Sequence, residues 1–181
     1  MRFCPNCGHA VNMTIPEGDN RERAVCPQCD FIDYDNPRLI TGTLPLYKGK
    51  VLLCKRNIEP RFGYWTLPAG FMENQETTRE GALRETLEES GSNATCKQAF
   101  SMISIPHINQ IHLFYLAELE QDDFHATEES SEVALFDLDN IPWDELAFSS
   151  VSKTLNFFIE DHKKGHYGFH EDTILFNVVS E

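Results

Sequence analysis

Three glutamates at i, i+3 and i+4 (Glu85, Glu88, Glu89) and two cysteine pairs (Cys4-x2-Cys7 and Cys26-x2-Cys29) are the residues whose type and spacing could do chemistry. At about 100° per residue around a helix axis, the three carboxylates fall within an arc of about 100°, opposite Ala82, Leu83, Thr86 and Leu87. Like charges at this spacing destabilise a helix by about 0.2–0.5 kcal/mol per pair. A divalent cation reverses that penalty, because Mg²⁺ takes hard oxygen ligands. An ion held there could bridge phosphate oxygens, neutralise their charge and activate an attacking water. A trio of glutamates alone is most often a solvated face, so the residues around it decide.

The cysteine pairs are separated by 18 residues, a spacing that suits a four-thiolate zinc site. Cys4-Pro5-Asn6-Cys7-Gly8 and Cys26-Pro27-Gln28-Cys29-Asp30 each place a proline early in a turn, with Gly8 or Asp30 where a left-handed backbone would be needed. The first 36 residues lack the apolar content for a core of their own, so an ion would supply the folding free energy that packing cannot. Two disulfides are the alternative, disfavoured in a reducing compartment. Four thiolates close a tetrahedron, so this zinc is expected to be structural and His9 a bystander. Cys54 and Cys96 are isolated and read as small buried hydrophobes.

The 181 residues suit one ordinary domain with a small appendage, and their 13 Phe and 41% hydrophobic content are globular rather than disordered. A formal charge of −14 repels polyanions, so no nucleic-acid partner is expected, and an anionic small substrate would need a recruited cation. The longest unbroken apolar run is Leu113 to Ala117, far short of a membrane span, and Met1-Arg2-Phe3-Cys4 does not read as a secretory signal. A cytoplasmic protein is expected.

After Asn36-Pro37 the pattern changes, giving expected domains of 1–36 and 37–181. Leu39–Tyr47 and Lys50–Arg56 read as strands joined at Lys48-Gly49. Trp65–Leu67, Phe100–Ile105, Gln110–Leu119 and Glu132–Phe136 read as further strands, with Thr127–Ser131 an acidic loop. The best helix runs from about Glu76 to Ser90 and is closed by Gly91; a second covers Ser149–Lys164, capped by Ser149 or Ser150. Strands interleaved with two helices imply an α/β body with a mixed sheet. His162, His166 and His170 straddle the helix-ending Gly165 and read as solvated.

The stretch Gly70-x5-Glu76-x7-Arg84-Glu85-Thr86-x-Glu88-Glu89-x-Gly91-Ser92 resembles the signature of the Nudix hydrolases over its whole length, seven fixed positions in 23 residues. Thr86 and Ser92 stand where that family usually carries aliphatic residues. The resemblance implies an α/β/α sandwich and hydrolysis of nucleoside diphosphates linked to another moiety, with Mg²⁺ or Mn²⁺ as cofactor. It implies Glu85, Glu88 and Glu89 as metal ligands, the Gly70 carbonyl as a further candidate, and Arg84 with Glu76 as the ion pair that orients them. The catalytic base varies within the family; Glu85 or Glu89 on the helix is one choice, Glu129 or Glu132 beyond it the other. A four-Cys ribbon followed by Asn36-Pro37, Leu52-Leu53-Cys54-Lys55-Arg56, Trp65-Thr66-Leu67-Pro68-Ala69-Gly70-Phe71 and Ala147-Phe148-Ser149-Ser150 is similar to the zinc-ribbon branch, most of all to FAD and ADP-ribose diphosphatases of plant plastids and their bacterial relatives. Related NADH diphosphatases carry a Trp-Pro-Phe-Pro segment where this chain has Ser104–Gln110, which disfavours NADH and capped RNA.

For the organic part of a substrate, Arg56, Arg61, Phe62, Tyr64 and Trp65 gather before the motif: an arginine could fork onto phosphate and an aromatic face could stack on a base. Trp65 could equally be core. Ile105-Pro106-His107 could line the pocket. A non-catalytic nucleotide-sensing module is the rival class, against which the complete glutamate trio argues. The partner is expected to be a small dinucleotide, with no membrane, and a homodimer is possible on the family likeness.

Overall fold

The computed structural model describes residues 1–175, and the chain folds as two units, Met1–Asn36 and Pro37–Glu181, the second running past the described residues. The first unit is a three-stranded antiparallel sheet of β1 (Asn12–Thr14), β2 (Arg23–Val25) and β3 (Ile32–Asp33). Its buried hydrophobic residues are Cys4, Ala24 and Cys26, which is too little to act as a core. Gly8 and Asp30 take positive φ, 76° and 57°, so each cysteine turn closes in the left-handed conformation the sequence calls for.

The second unit is a mixed sheet between two helices. Its strands are β4 (Arg38–Tyr47), β5 (Lys50–Arg56), β6 (Trp65–Thr66), β7 (Ala69–Phe71), β8 (Ala94–Ile105), β9 (Gln110–Leu119), β10 (Ser130–Phe136) and β11 (His170–Thr173), and its helices are α1 (Thr78–Ser90) and α2 (Ser149–Lys164). The order across the sheet is β10-β5-β4-β9-β8-β11, with β6 beside β5 and β7 beside β4; β4/β9 and β8/β11 are the parallel pairs. Alternation on the strands builds the sandwich. Leu113, Tyr115 and Ala117 of β9 pack with Ala82 and Leu83 of α1, whereas Phe114 and Leu116 turn to the other side and pack with Val151, Leu155 and Phe158 of α2.

Strands β5 and β9 and helix α2 have the expected bounds, and Lys48-Gly49 is a tight hairpin turn with both residues at positive φ. Four expectations are corrected. Helix α1 begins at Thr78, because Thr77 and Glu80 form a capping box that leaves Glu76 outside it. Strand β8 is twice the expected length, its first half disguised by register shifts between Cys96 and Gln98 and between Ala99 and Ser101 that break strict alternation. Helix α2 has no side-chain cap: Phe148 is the capping position, so Ser149 and Ser150 lie in the first turn. His170 is not solvated, for it stacks on Phe157 with ring centroids 4.5 Å apart and bonds Asp161.

Candidate active site

Both ends of α1 are fixed, and the fixing sets where its glutamates point. Thr77 Oγ1 accepts from the Glu80 amide and Glu80 Oε2 accepts from the Thr77 amide, while Gly91 closes the last turn at φ 71°. Midway, the buried Thr86 hydroxyl donates to the Ala82 carbonyl at 2.7 Å and so receives the Thr43 hydroxyl at 2.6 Å. The family's usual aliphatic residue is thus replaced here by a satisfied polar pair, and Ser92 is satisfied likewise by Asp123 at 2.7 Å.

This packing turns two carboxylates inward. Glu85 and Glu89 are 8% and 6% exposed, so the acidic face is no solvated surface, and only Glu88 lies in water. Burial pushes the Glu89 carboxyl up to about 8, with the charges of Glu85 and Glu129 adding and Arg56 opposing. Burial also raises Glu85, against the pull of Arg84. Gly70 is cut to fit: a Cβ there would stand 2.4 Å from the Glu85 carboxyl. The two buried carboxylates, with Gly70 backbone against them, are hard oxygen donors of the kind a divalent cation takes, although among the described residues the motif glutamates do not converge as the ribbon sulfurs do, because Arg84 holds Glu85 and Glu88.

Arg84 organises the rest. Its Nε and Nη2 fork onto Glu76 at 3.0 and 2.8 Å, its Nη1 reaches Glu85 at 2.7 Å and Glu88 at 3.0 Å, and Nη2 also donates to the Phe71 carbonyl. The fork, with the Glu73 amide, holds the Glu76 carboxyl down at about 2.

The acids open onto a cleft of about 710 Å³. Glu85, Glu88, Glu89, Gly70, Arg84 and Glu129 line its acidic end, and Ile58, Ile105, Ile108, Phe148 and Ile174 give it apolar walls. Arg56 is the cation between these two characters: its guanidinium lies 5.1 Å over the Phe148 ring and is held by the Pro60 carbonyl at 2.7 Å.

Of the residues singled out from sequence, Glu85, Glu88, Glu89, Arg84, Gly70, Glu129, Arg56 and Ile105 come together around this cleft. Glu132 does not line it; its carboxylate faces Lys55 Nζ at 3.6 Å. Arg61 stands over Tyr64, and Phe62 is 58% exposed, neither lining the cleft. Trp65 is core, 6% exposed and edge-on to Phe136. Sequence reasoning missed Gln110, His112 and Ser150. His112 Nδ1 bonds Ser150 Oγ at 2.9 Å and Nε2 bonds Gln110 Oε1 at 3.1 Å, while burial lowers the imidazole to about 4 and keeps it neutral. A lone histidine in an apolar strand carries no sequence signal; only the β4/β9 pairing and the first turn of α2 bring these groups to the cleft.

In the first unit, the Cys4, Cys7, Cys26 and Cys29 sulfurs all lie within 4.8 Å of one another, with Cys4/Cys29 and Cys7/Cys26 at 3.7 and 3.4 Å, and all six cysteines are free thiols. Metal–sulfur bonds of about 2.3 Å in a tetrahedron put sulfurs about 3.8 Å apart, so the donors fit a thiolate-bound divalent ion.

A four-sulfur ribbon ahead of an α/β/α sandwich whose motif helix turns carboxylates into a cleft defines the class of protein. Comparison with known families gives the class its name: the zinc-ribbon model described as Nudix N-terminal matches residues 2–35, and the NUDIX domain model matches residues 37–155. The chain belongs to the Nudix hydrolases, which act on pyrophosphate bonds and require a divalent metal. It is similar to a NUDIX hydrolase from Nitrosomonas europaea known from its crystal structure, with TM-score 0.93 and 45% identity over 96% of this chain and 99% of that one. An ADP-ribose pyrophosphatase of Methanocaldococcus jannaschii is 33% identical over 64% of this chain and 69% of its own length. The NAD-capped RNA hydrolase NudC of Chromobacterium violaceum is 32% identical over 75% of this chain, which spans only 51% of that relative. No helix among the described residues is long and apolar enough to cross a membrane.

Proposed function

We propose that this enzyme hydrolyses the diphosphate linkage of a nucleoside diphosphate derivative, with FAD (to FMN and AMP) or ADP-ribose (to AMP and ribose 5-phosphate) as its substrate. The observation that carries this reading is that one cleft joins an acidic end, a fixed arginine and apolar walls. A diphosphate that carries a flat ring on at least one side complements that order, its phosphates meeting a cation at the acidic end and Arg56, its ring the apolar walls.

Glu85, Glu88, Glu89 and the Gly70 carbonyl would hold Mg²⁺ or Mn²⁺, which supplies charge neutralisation on phosphate oxygens and a more acidic bound water. Arg56 binds the diphosphate and, with Phe148 behind it, keeps bulk water from the linkage. Arg84, tied to Glu76, positions Glu85 and Glu88. Water attacks one phosphorus, the bond to the bridging oxygen breaks, and the water's proton passes to a carboxylate. Glu129 suits that role better than Glu132, which is engaged by Lys55; Glu85 and Glu89 are the other acceptors at hand. Zinc on Cys4, Cys7, Cys26 and Cys29 holds the ribbon, and reduced thiols suit a cytoplasmic setting.

Likeness to the M. jannaschii ADP-ribose pyrophosphatase supports the substrate class. Likeness to NudC supports a second reading, an NAD-type dinucleotide or cap, against which stands the segment Ser104–Gln110. Incubation with FAD, ADP-ribose, NADH and NAD-capped RNA, each with Mg²⁺ or Mn²⁺, followed by chromatography of the products, tests both. FMN with AMP, or AMP with ribose 5-phosphate, is expected as the dominant outcome. Recovery of all four substrates intact overturns the proposal.

A further inference from the structure

Strand β11 lies after residue 155, where the family's domain model ends, yet Ile174 lines the cleft. Its delivery there is built from period-two geometry. His170, Asp172 and Ile174 share one face of the strand, and the first two meet successive positions of α2. His170 Nε2–H donates to the buried Asp161 at 2.7 Å while its ring stacks on Phe157 at an interplanar angle of 5°. Asp172 is paired with Lys153. One step further in the same direction, Ile174 lines the same cleft as Ser149, Ser150 and Val151 of the first turn of α2. On the sheet side β11 is parallel to β8, Thr173 is in register with Ser104, and the Ile174 amide donates to the Ser104 carbonyl at 2.9 Å. The next position of β8 is Ile105, so two isoleucines stand side by side in the wall.

We infer that β11 is a pinned strap that sets substrate preference: Ile174 forms, with Ile105, the apolar plate against which a flat ring of the dinucleotide lies, and His170–Asp161 and Asp172–Lys153 are the pins. This rests on the substrate class proposed above. Ile174 is the specificity residue; His170 is a positioning residue that acts through it.

Ile174→Ala, Ile174→Leu and His170→Ala are compared with the wild-type chain by steady-state hydrolysis of FAD, ADP-ribose and NADH, and by calorimetric titration with AMP. Ile174→Ala is expected to raise KM by about 5- to 20-fold for the preferred substrate, with kcat within about twofold and the melting temperature unchanged, because one apolar pocket contact is removed. Ile174→Leu restores KM. His170→Ala shifts KM in the same direction, and combined with Ile174→Ala adds less than its separate effect, as coupled residues do. AMP affinity falls in parallel if AMP's ring occupies the plate. An active wild type whose KM and AMP affinity are both untouched by Ile174→Ala overturns the strap and leaves the substrate class standing. A wild type that neither hydrolyses nor binds any of these nucleotides overturns both.

Discussion

The four sulfurs of the ribbon and the carboxylates of α1 both offer donors that suit a metal ion, but they are arranged in opposite ways. Among the described residues the sulfurs converge to within 4.8 Å in a unit with almost no core. The carboxylates are spread along a helix whose far side is packed into a core, with Arg84 drawing Glu85 and Glu88 toward itself. A closed site contributes folding free energy and no chemistry; an open one costs the fold something and leaves coordination positions for a substrate. The cost is visible in the raised protonation of Glu85 and Glu89 and the missing side chain at Gly70. The two halves of the molecule therefore answer differently to losing a ligand.

The largest contrast is expected on metal removal. Structural zinc at four thiolates accounts for about 10–16 kcal/mol of apparent binding free energy in small zinc domains. A strong chelator, or Cys26→Ser, should abolish the dispersed amide resonances of Met1–Asn36 while leaving those of the Pro37–Glu181 core in place. A thiol reagent should then label Cys4, Cys7, Cys26 and Cys29 quickly, whereas Cys54 and Cys96, 0% and 7% exposed, stay protected. A ribbon that keeps its dispersion without metal would break the comparison.

Glu89→Gln should give the opposite result, a large loss of activity with a gain in stability. Glu89 is proposed to hold the cation that stabilises charge on the transferring phosphoryl group, and losing one such stabilising element costs about 10²- to 10³-fold in kcat. On stability the sign follows from the raised carboxyl: its folded value of about 8 exceeds the ordinary 4.5, so the protonated form is favoured by folding. That contribution is full below pH 4.5 and is lost as pH rises through about 8. Metal-free wild type should therefore melt progressively lower from pH 5 to pH 8, and Glu89→Gln should show a flatter profile and melt several degrees higher at pH 8. Calorimetric melts across that range check it; parallel profiles would sink the account of burial.

Which of these features could be read from the chain alone follows from how local each is. Cysteine pairs with two residues between them, the motif glutamates and the glycine caps are encoded within a turn or two, and the hairpin at Lys48-Gly49 and helix α2 are local as well. Trp65 read as a site candidate because proximity along the chain to the motif says nothing of which face of a strand a side chain takes, and Glu132 because the family likeness implies a base beyond the helix without saying whether Glu129 or Glu132 faces the cleft. His112, Ser150, Gln110 and Ile174 were invisible for the converse reason: residues from β9, α2 and the end of β11 meet only after the sheet is ordered. The inward turn of Glu85 and Glu89 escaped a helical wheel as well, since a wheel does not say which polar face a sheet will cover.

The smallest expected effect tests how much slack the hydrolase unit has beside the ribbon. Thr86 donates a hydrogen bond to the Ala82 carbonyl and accepts one from Thr43, both hydroxyls wholly buried. Thr86→Val strands the Thr43 hydroxyl and should cost about 1–3 kcal/mol, the usual penalty for a buried polar group without a partner. Thr43→Val alone removes a donor that Thr86 can spare and should cost less. The double variant puts two methyl-bearing side chains of the family's aliphatic kind against each other, so its cost should fall below the sum of the singles by about 1 kcal/mol. Urea titrations of the three variants give the cycle. Additive costs would mean that the pair does not hold α1 to β4; a favourable coupling with unchanged kcat would show that this unit, unlike the ribbon, can exchange one internal tether for another and still present its carboxylates.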